Sequence, residues 1–520
     1  MNTNERFKPV IGKNVIENLT VGMYDDPRFV YREYVQNAAD QIDVAKCQNL
    51  YQSDNEACIY IQIDKKARTI IIEDNATGIK SPEVLPLLGN IAQSTKNKYE
   101  DKGFRGIGRL GGLGYCDKLT FETSFYGEEV KSIMIWDAKL LKNSINDDSV
   151  KIDAAELISI ITDYSFQNEN KEEHYFKVTM EGVENEELLD VEKVRDYLSM
   201  VAPIPFASHF THRHKIYEEA RKNNVALDEY KLLLNGEQLF KGYKNTIHYN
   251  KKEFCEIIDI RFFEAFYNDS LLHWGWYGVS EKMYQIPDEN KERGIRLRKS
   301  NIQIGLENRL DVYHKEKLGN RYFVGEVYAI NKKLTPNARR DFFIENEECS
   351  QLVKQLQDFF HRQLYNIYYD FSRKNTAIKA KQDLENKKEK IKDETLDTAI
   401  KEKLSVEIKK LEKDITSLKK SLPKLLNKYQ NKDAVLHNML EKSLKDAGFD
   451  FDVSDKIENP PEDDTKSTET KYTQISAIQK KPLSPQETTL LEKVYNVIRQ
   501  NLIRKAAEEL IQKIEDDLKK

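Results

Sequence analysis

Between residues 103 and 114 the chain reads Gly-Phe-Arg-Gly-Ile-Gly-Arg-Leu-Gly-Gly-Leu-Gly, six glycines in twelve positions. Glycine loses more conformational freedom on ordering than any other residue and is disfavoured inside helices and strands. So dense a run predicts a mobile loop whose unhindered amides can wrap phosphate oxygens. The piece Gly106-Ile-Gly-Arg-Leu-Gly111 also fits GxGxxG, but it follows Lys98-Tyr-Glu-Asp-Lys102, where a dinucleotide-binding turn requires a strand. The chain contains no GxxxxGK[ST], which excludes a P-loop.

Two upstream stretches give that loop a context. In Phe29–Ile42 the apolar residues Phe29, Val30, Tyr34, Val35, Ala38 and Ile42 recur at helical spacing, predicting an amphipathic helix. Glu33 and Asn37 lie four apart and Asp40 a further turn on, so all three can project from one face. A carboxylate and an amide placed this way can orient a water and help hold a magnesium ion beside a phosphate. Taken alone, such a pair is more often a solvated helix face. Residues Ile70-Ile-Ile-Glu-Asp-Asn-Ala-Thr-Gly-Ile79 run from a β-branched strand into a polar turn, delivering Asp74 to a strand end. Gly78 follows where backbone can approach a ligand closely. Asp-Asn at a strand end is also ordinary turn chemistry.

In this order and spacing the three segments resemble the ATP site of the GHKL superfamily. That group includes the ninety-kilodalton heat-shock chaperones, MutL mismatch-repair proteins, type II topoisomerase ATPase subunits, MORC proteins and sensor histidine kinases. The resemblance implies an ATPase using ATP and Mg2+. Glu33 matches the general base and Asn37 the magnesium ligand, with Asp40 on the same nucleotide-binding face. Asp74 matches the carboxylate that accepts from the adenine amino group, and Gly78 the glycine closing that pocket. Ser94, Thr95 and Lys96 resemble a lid-edge cluster near the phosphates, and Gly103, Gly106, Gly108, Gly111, Gly112 and Gly114 the lid itself. Farther on, Gly294-Ile-Arg-Leu-Arg-Lys-Ser-Asn-Ile-Gln-Ile-Gly305 resembles the middle-domain segment that sends a basic residue to the ATP γ-phosphate. Strand alternation puts Arg296 and Arg298 on one face and Lys299 on the other; the resemblance favours Arg298 or Lys299 as that catalytic contact. Leu334-Thr-Pro-Asn-Ala-Arg-Arg-Asp341 is similar to the Leu-Pro-Leu-Asn-x-Ser-Arg-Glu stretch that follows in those chaperones.

The pattern is not kept everywhere. The family's Asp-x-Gly-x-Gly reads Asp74-Asn-Ala76-Thr-Gly78, so alanine replaces one glycine and limits the turn to angles alanine tolerates. Where the family has Gly-Thr before a late strand, this chain has Tyr175-Phe176 ahead of Lys177-Val178, which leaves Thr179 as the nearby hydroxyl.

The expected fold class is α+β. A Bergerat-type α/β sandwich over residues 1–215 precedes a second α+β transducer domain over 216–370. Within these, residues 7–24 read as a short strand or arm, and 230–239, 273–279, 294–305 and 322–330 as strands. From residue 375 the composition turns to Lys, Glu and Asp. Leu404, Ile408, Leu411, Ile415, Leu418, Leu422 and Leu425 alternate spacings of four and three, predicting a coiled coil or helical hairpin over 375–450 that Pro423 kinks or ends. Residues 451–483 read as a flexible linker. Ser484-Pro-Gln-Glu487 then supplies an N-cap, an N1 proline and a capping-box glutamate for a final helix over 484–520.

Net charge is −5 with a pI near 6.1, so no global basic field announces nucleic acid or a membrane surface. The five cysteines are scattered and never form CxxC, which argues against a disulfide framework or zinc site and fits a reducing, cytoplasmic setting. No apolar run approaches a membrane span. The family resemblance implies a homodimer that closes on ATP. It leaves the clamp's substrate open between protein clients, as for a chaperone, and nucleic acid, as for a MORC or MutL protein.

Overall fold

The computed structural model describes residues 10–19, 26–53, 56–91, 108–392 and 397–449, together with Tyr495, Ile511 and Ile514. The expected linker over 451–483 lies outside the described residues, as does the expected helix over 484–520 apart from those three positions.

The chain opens with α1 (Asn14–Leu19) and α2 (Phe29–Cys47), then β1 (Cys58–Asp64), β2 (Thr69–Asp74), β3 (Lys118–Ser124) and β4 (Val130–Asp137). Helices α3 (Ala138–Asn146) and α4 (Ala154–Ile161) lead to β5 (Thr162–Asn168) and β6 (Tyr175–Glu181). After α5 (Glu186–Leu189), α6 (Val191–Val201) and α7 (Arg213–Lys222) come β7 (Lys231–Leu234) and β8 (Glu237–Gln238). These strands make one eight-stranded sheet, ordered β5-β4-β3-β6-β2-β1-β7-β8, antiparallel except where β7 runs parallel to β1. Its inner face buries Ile70, Ile72, Phe121 and Val178 against Val30, Val35, Ala38 and Ile42 of α2. The period-two strands and the period-3.6 helix thus meet as the sequence pattern requires.

Two expectations change in this half. Residues 14–19 are helical rather than a strand or arm, because Ile16 joins Leu157 in the core, a contact made from a helical turn. The boundary expected near residue 215 is not a clean divide. Phe206, Phe210 and Ile216 pack in the second core, yet Leu232, Leu234 and Leu239 return to the first. The β7–β8 hairpin turns at Asn235 and Gly236, φ 48° and 86°, the left-handed pair that an Asn-Gly turn needs.

The second sheet is ordered β13-β12-β14-β11-β10-β9, from β9 (Thr246–Tyr249), β10 (Lys252–Tyr267), β11 (Ser270–Ser280), β12 (Gly294–Lys299), β13 (Ile302–Gln303) and β14 (Val324–Ala329). The 294–305 stretch, expected as one strand, breaks into β12 and β13 at Ser300 and Asn301, both left-handed. Trp276 and Tyr243 lie edge to face, ring centroids 5.0 Å apart, among the buried rings Phe206 and Phe210.

Four helices follow: α8 (Glu347–Phe359), α9 (Tyr365–Lys390), α10 (Thr398–Gln430) and α11 (Ala434–Asp446). The heptad folds back within the chain as an antiparallel hairpin of α9 on α10. Lys428 Nζ meets Asp370 at 2.6 Å near one end, and Lys388 Nζ meets Glu412 at 2.7 Å toward the other. Helix α10 continues through Pro423 to Gln430, so the proline does not end it. The burial of Leu422, Leu425, Leu426 and Tyr429 around it outweighs the roughly 3 kcal/mol that an interior proline costs.

Candidate nucleotide site

Helix α2 presents Glu33 at 5% exposure, with Asn37 half-buried one turn on. The Asn37 side chain has no hydrogen-bond partner among the described residues. Glu33 Oε1 lies 3.4 Å from Arg32 Nη2 and 3.2 Å from Nε of Arg340, a residue far along the chain beyond the second sheet. The Arg340 and Glu33 side chains are only 12% and 7% exposed, so this is a largely desolvated ion pair. On the carboxylate's other side stands Gly108, where a Cβ would lie 2.5 Å from Glu33 Oε2. Glu33 is therefore gripped from three directions. Asp40 is buried nearer the far end of the helix, where the Tyr230 phenol is raised by its own burial and by Asp228, Asp43 and Asp40.

The glycine segment enters the described residues at Gly108 and winds as a 3-10 helix over Gly108–Gly114, which includes Gly111, Gly112 and Gly114. This half of the expected lid is therefore a packed turn. Tyr34, next to Glu33 on α2, donates its hydroxyl to the carbonyl of Arg109 at 2.8 Å. A Cβ on Gly112 would come within 2.7 Å of that same hydroxyl. Arg109 donates to the carbonyl of Asn90 at 2.6 Å, and burial lowers its guanidinium to about 10. Ser94, Thr95, Lys96, Gly103 and Gly106 lie outside the described residues.

Strand β2 ends at Asp74, 3% exposed, with one carboxylate oxygen accepting from the Ala76 amide at 3.1 Å. Ala76 does not adopt a positive φ and its carbonyl meets His174 Nδ1 at 2.7 Å, so this turn accommodates alanine where the family has glycine. Gly78 is different. Its φ is +66°, and a Cβ there would sit 1.8 Å from the carbonyl oxygen of Ser124. In register Phe176 stands opposite Asp74, on its face of the sheet, whereas Thr179 pairs with Ile71 on the other. An aromatic ring, stacked on Phe121 at 5.9 Å, thus takes the place next to the carboxylate.

Arg298 and Lys299 are not brought to Glu33. Arg298 is fully buried in an ion pair with Glu326 and donates to the carbonyl oxygens of Asn301 at 2.7 Å and of Met200. Lys241 Nζ completes the cluster 2.8 Å from Glu326 Oε2. Burial alone would raise the Glu326 carboxyl, but Arg298 and Lys241 more than offset it and hold it at about 2. Lys299 Nζ donates to the Asn331 carbonyl at 2.8 Å, and burial pushes its pKa down to about 8. Strand register decides this: β12 lies inside the sheet, hydrogen-bonded to β14 and β13, so Arg298 meets Glu326 and the carbonyls ending α6 while Lys299, on the other face, meets the Asn331 carbonyl. The cation that reaches Glu33 comes from the next segment. Arg340 is the seventh residue of Leu334–Asp341, the place held by arginine in the similar chaperone stretch, and that position was the signal for it.

Comparison with known proteins finds similar sequences for part of the chain. A family model described as "Histidine kinase-, DNA gyrase B-, and HSP90-like ATPase" matches residues 27–175. A chaperone protein HtpG of Wigglesworthia glossinidia brevipalpis is 23% identical over 354 residues, 63% of this chain and 49% of that relative. HtpG proteins of Burkholderia ambifaria and Escherichia coli O1:K1 are 29% and 28% identical over 143 residues, 24% of this chain and 23% of each relative. The chain thus spans half or less of the length of these curated relatives. The N-terminal sheet domain has a GHKL-like fold, and the chain resembles chaperones of the ninety-kilodalton heat-shock class at low identity. No helix among the described residues is long and apolar enough to cross a membrane.

Proposed function

We propose that this chain binds magnesium-ATP in the cleft between α2, the end of β2 and Gly108–Gly114, hydrolyses it, and uses the cycle to close a two-protomer clamp on protein clients. The observation that carries the reading is the meeting at Glu33 of a lid glycine and an arginine from beyond the second sheet. An isolated solvated helix face has no reason to bury a carboxylate between such distant segments.

The residues present fit the nucleotide and its ion. Asp74 offers a buried carboxylate to the adenine amino group, and Gly78 lets the backbone pass where any side chain would collide. Asn37 offers an amide oxygen for magnesium, one turn from Glu33. Magnesium, when bound, spreads the phosphate charge and steadies the oxygens that gain charge during transfer. Glu33 orients the attacking water and accepts its proton. Arg340 stabilises the charge developing on the γ-phosphoryl oxygens, the part the sequence suggested for Arg298 or Lys299. Because that arginine follows the second sheet, hydrolysis requires both halves of the molecule in place, which ties the chemistry to a domain movement.

The test is Glu33→Ala in the full chain. ATP should still bind by calorimetry while turnover falls by about 100-fold or more. Native turnover in that variant would mean that another group serves as base. For the clamp, sedimentation with a non-hydrolysable ATP analogue should give a dimer more compact than with ADP, and identical profiles would refute nucleotide-driven closure.

A further inference from the structure

A cavity of about 400 Å³, of the size small ligands occupy, opens beside the N-terminal end of α2. Neither Glu33, Asn37, Asp74 nor Gly78 lines it. One wall comes from the start of α2 and from α6, with Arg28, Phe29 and Tyr197; the other comes from β12, β13 and their flanking loops, with Arg296 and Gln303.

Hydrogen bonding on its walls is one-sided. Asp26 pairs with Arg28 at 2.8 Å, Asp196 pairs with Lys291, and Asp288 with Arg293. Asp311 accepts from Asn320 Nδ2 at 2.8 Å. These four carboxylates are therefore served, and the fifth on the lining, Glu307, faces Arg296 at 3.9 Å. Among the lining residues, the buried side-chain polar atoms left without a partner are Arg296 Nε and the Tyr197 hydroxyl, both able to donate.

Arg296 also lacks a close counter-ion among the described residues. It is 4% exposed, Nη1 donates to Gln303 Oε1 at 2.9 Å, and Nη2 donates to the Lys291 carbonyl. The nearest carboxylate, Glu307, is 3.9 Å away on a side chain 68% exposed. A desolvated guanidinium held mostly by neutral oxygens, with an edge unpaired, is costly unless an anion completes it. Guanidinium geometry suits the paired oxygens of a carboxylate or phosphate.

We propose that this cavity binds a small oxyanion, or an organic molecule carrying one, with Arg296 as the anchoring cation and Tyr197 as a second donor. The occupant bridges the two walls. It also touches the catalytic arrangement indirectly, since Gly305 on the cavity wall donates its amide to the carbonyl of Arg340 at 2.8 Å. Anion binding in this cavity does not depend on ATP hydrolysis.

Calorimetric titration of the full chain with inorganic phosphate, and separately with malonate, distinguishes a phosphate from a carboxylate ligand. At least one should bind saturably at a single site. Arg296→Gln and Tyr197→Phe should each weaken it by about tenfold or more, as expected for losing a charge-assisted hydrogen bond. Asp74→Asn should leave it unchanged, and ADP should not displace it. No saturable binding of either anion would overturn the proposal, as would equal affinity in the Tyr197→Phe protein, which loses one oxygen and serves if Arg296→Gln fails to fold. Displacement by ADP would assign the anion to the nucleotide site and equally refute the cavity.

Discussion

Replacing Arg340 by glycine separates its electrostatic role from its structural one. Arg340 sits at φ 54°, in the left-handed region, where a non-glycine residue stores roughly 1–2 kcal/mol of strain that glycine relieves. Breaking a buried ion pair costs about 3–5 kcal/mol when one charge stays behind. Glu33 keeps Arg32 at 3.4 Å as a partner, so the lower part of that range applies. The balance is a destabilisation of about 1–2 kcal/mol, measurable by urea denaturation without nucleotide. Catalysis should suffer more than folding. A guanidinium aimed at charge that develops only in the transition state is worth about 100- to 1,000-fold in turnover. ADP lacks the γ-phosphoryl group, so its affinity should stay close to native. The assays are steady-state phosphate release at saturating ATP and calorimetry with ADP. Turnover within about twofold of native, with folding intact, would show that the Arg340–Glu33 pair is a static domain contact and would remove Arg340 from the mechanism.

Asp74→Asn should largely abolish ATP binding by calorimetry, because the amide turns a donor toward the adenine amino group and leaves a buried mismatch of roughly 1–3 kcal/mol or more; unchanged affinity would refute the adenine assignment. Gly78→Ala should destabilise the first domain by about 2 kcal/mol or more in urea, since its Cβ would collide with the Ser124 carbonyl at a positive φ. Burial holds His273 neutral in the fold by lowering its pKa to about 4, and burial with His361 nearby lowers His314 to about 3. The unfolded chain takes up these protons first, so their contribution is complete above about pH 6.5 and drains as pH falls toward 4 and 3. For His273 alone this amounts to about 3 kcal/mol, and His273→Phe should flatten the loss of stability between pH 7.5 and 5, measured by urea denaturation.

Much of this arrangement was legible in the residues because it depends on local rules. Period-3.6 spacing placed Glu33 and Asn37 on one helix face, the β-branched run Ile70–Ile72 marked β2, and the Asn235-Gly236 pair carries its own turn. Gly78 read as a place where backbone approaches a ligand closely; the atom that crowds it in the fold is the Ser124 carbonyl oxygen from another strand. The heptad from Leu404 to Leu425 was equally plain, but a repeat specifies an apolar seam and not its partner; only the packed chain makes α9 that partner.

What tertiary structure alone decided concerns pairs distant in sequence. Alternation put Arg298 and Lys299 on opposite faces of a strand, yet it could not say that Glu326 waits on one of them, since that depends on β12 lying beside β14. Nor could it carry Arg340 across some three hundred residues to Glu33. The return of β7 to the first sheet after Phe206 and Phe210 had entered the second core is of the same kind. Side-chain chemistry and short-range spacing are properties of the chain itself, whereas which buried charge meets which counter-charge is set when hydrophobic burial draws separate segments into one core.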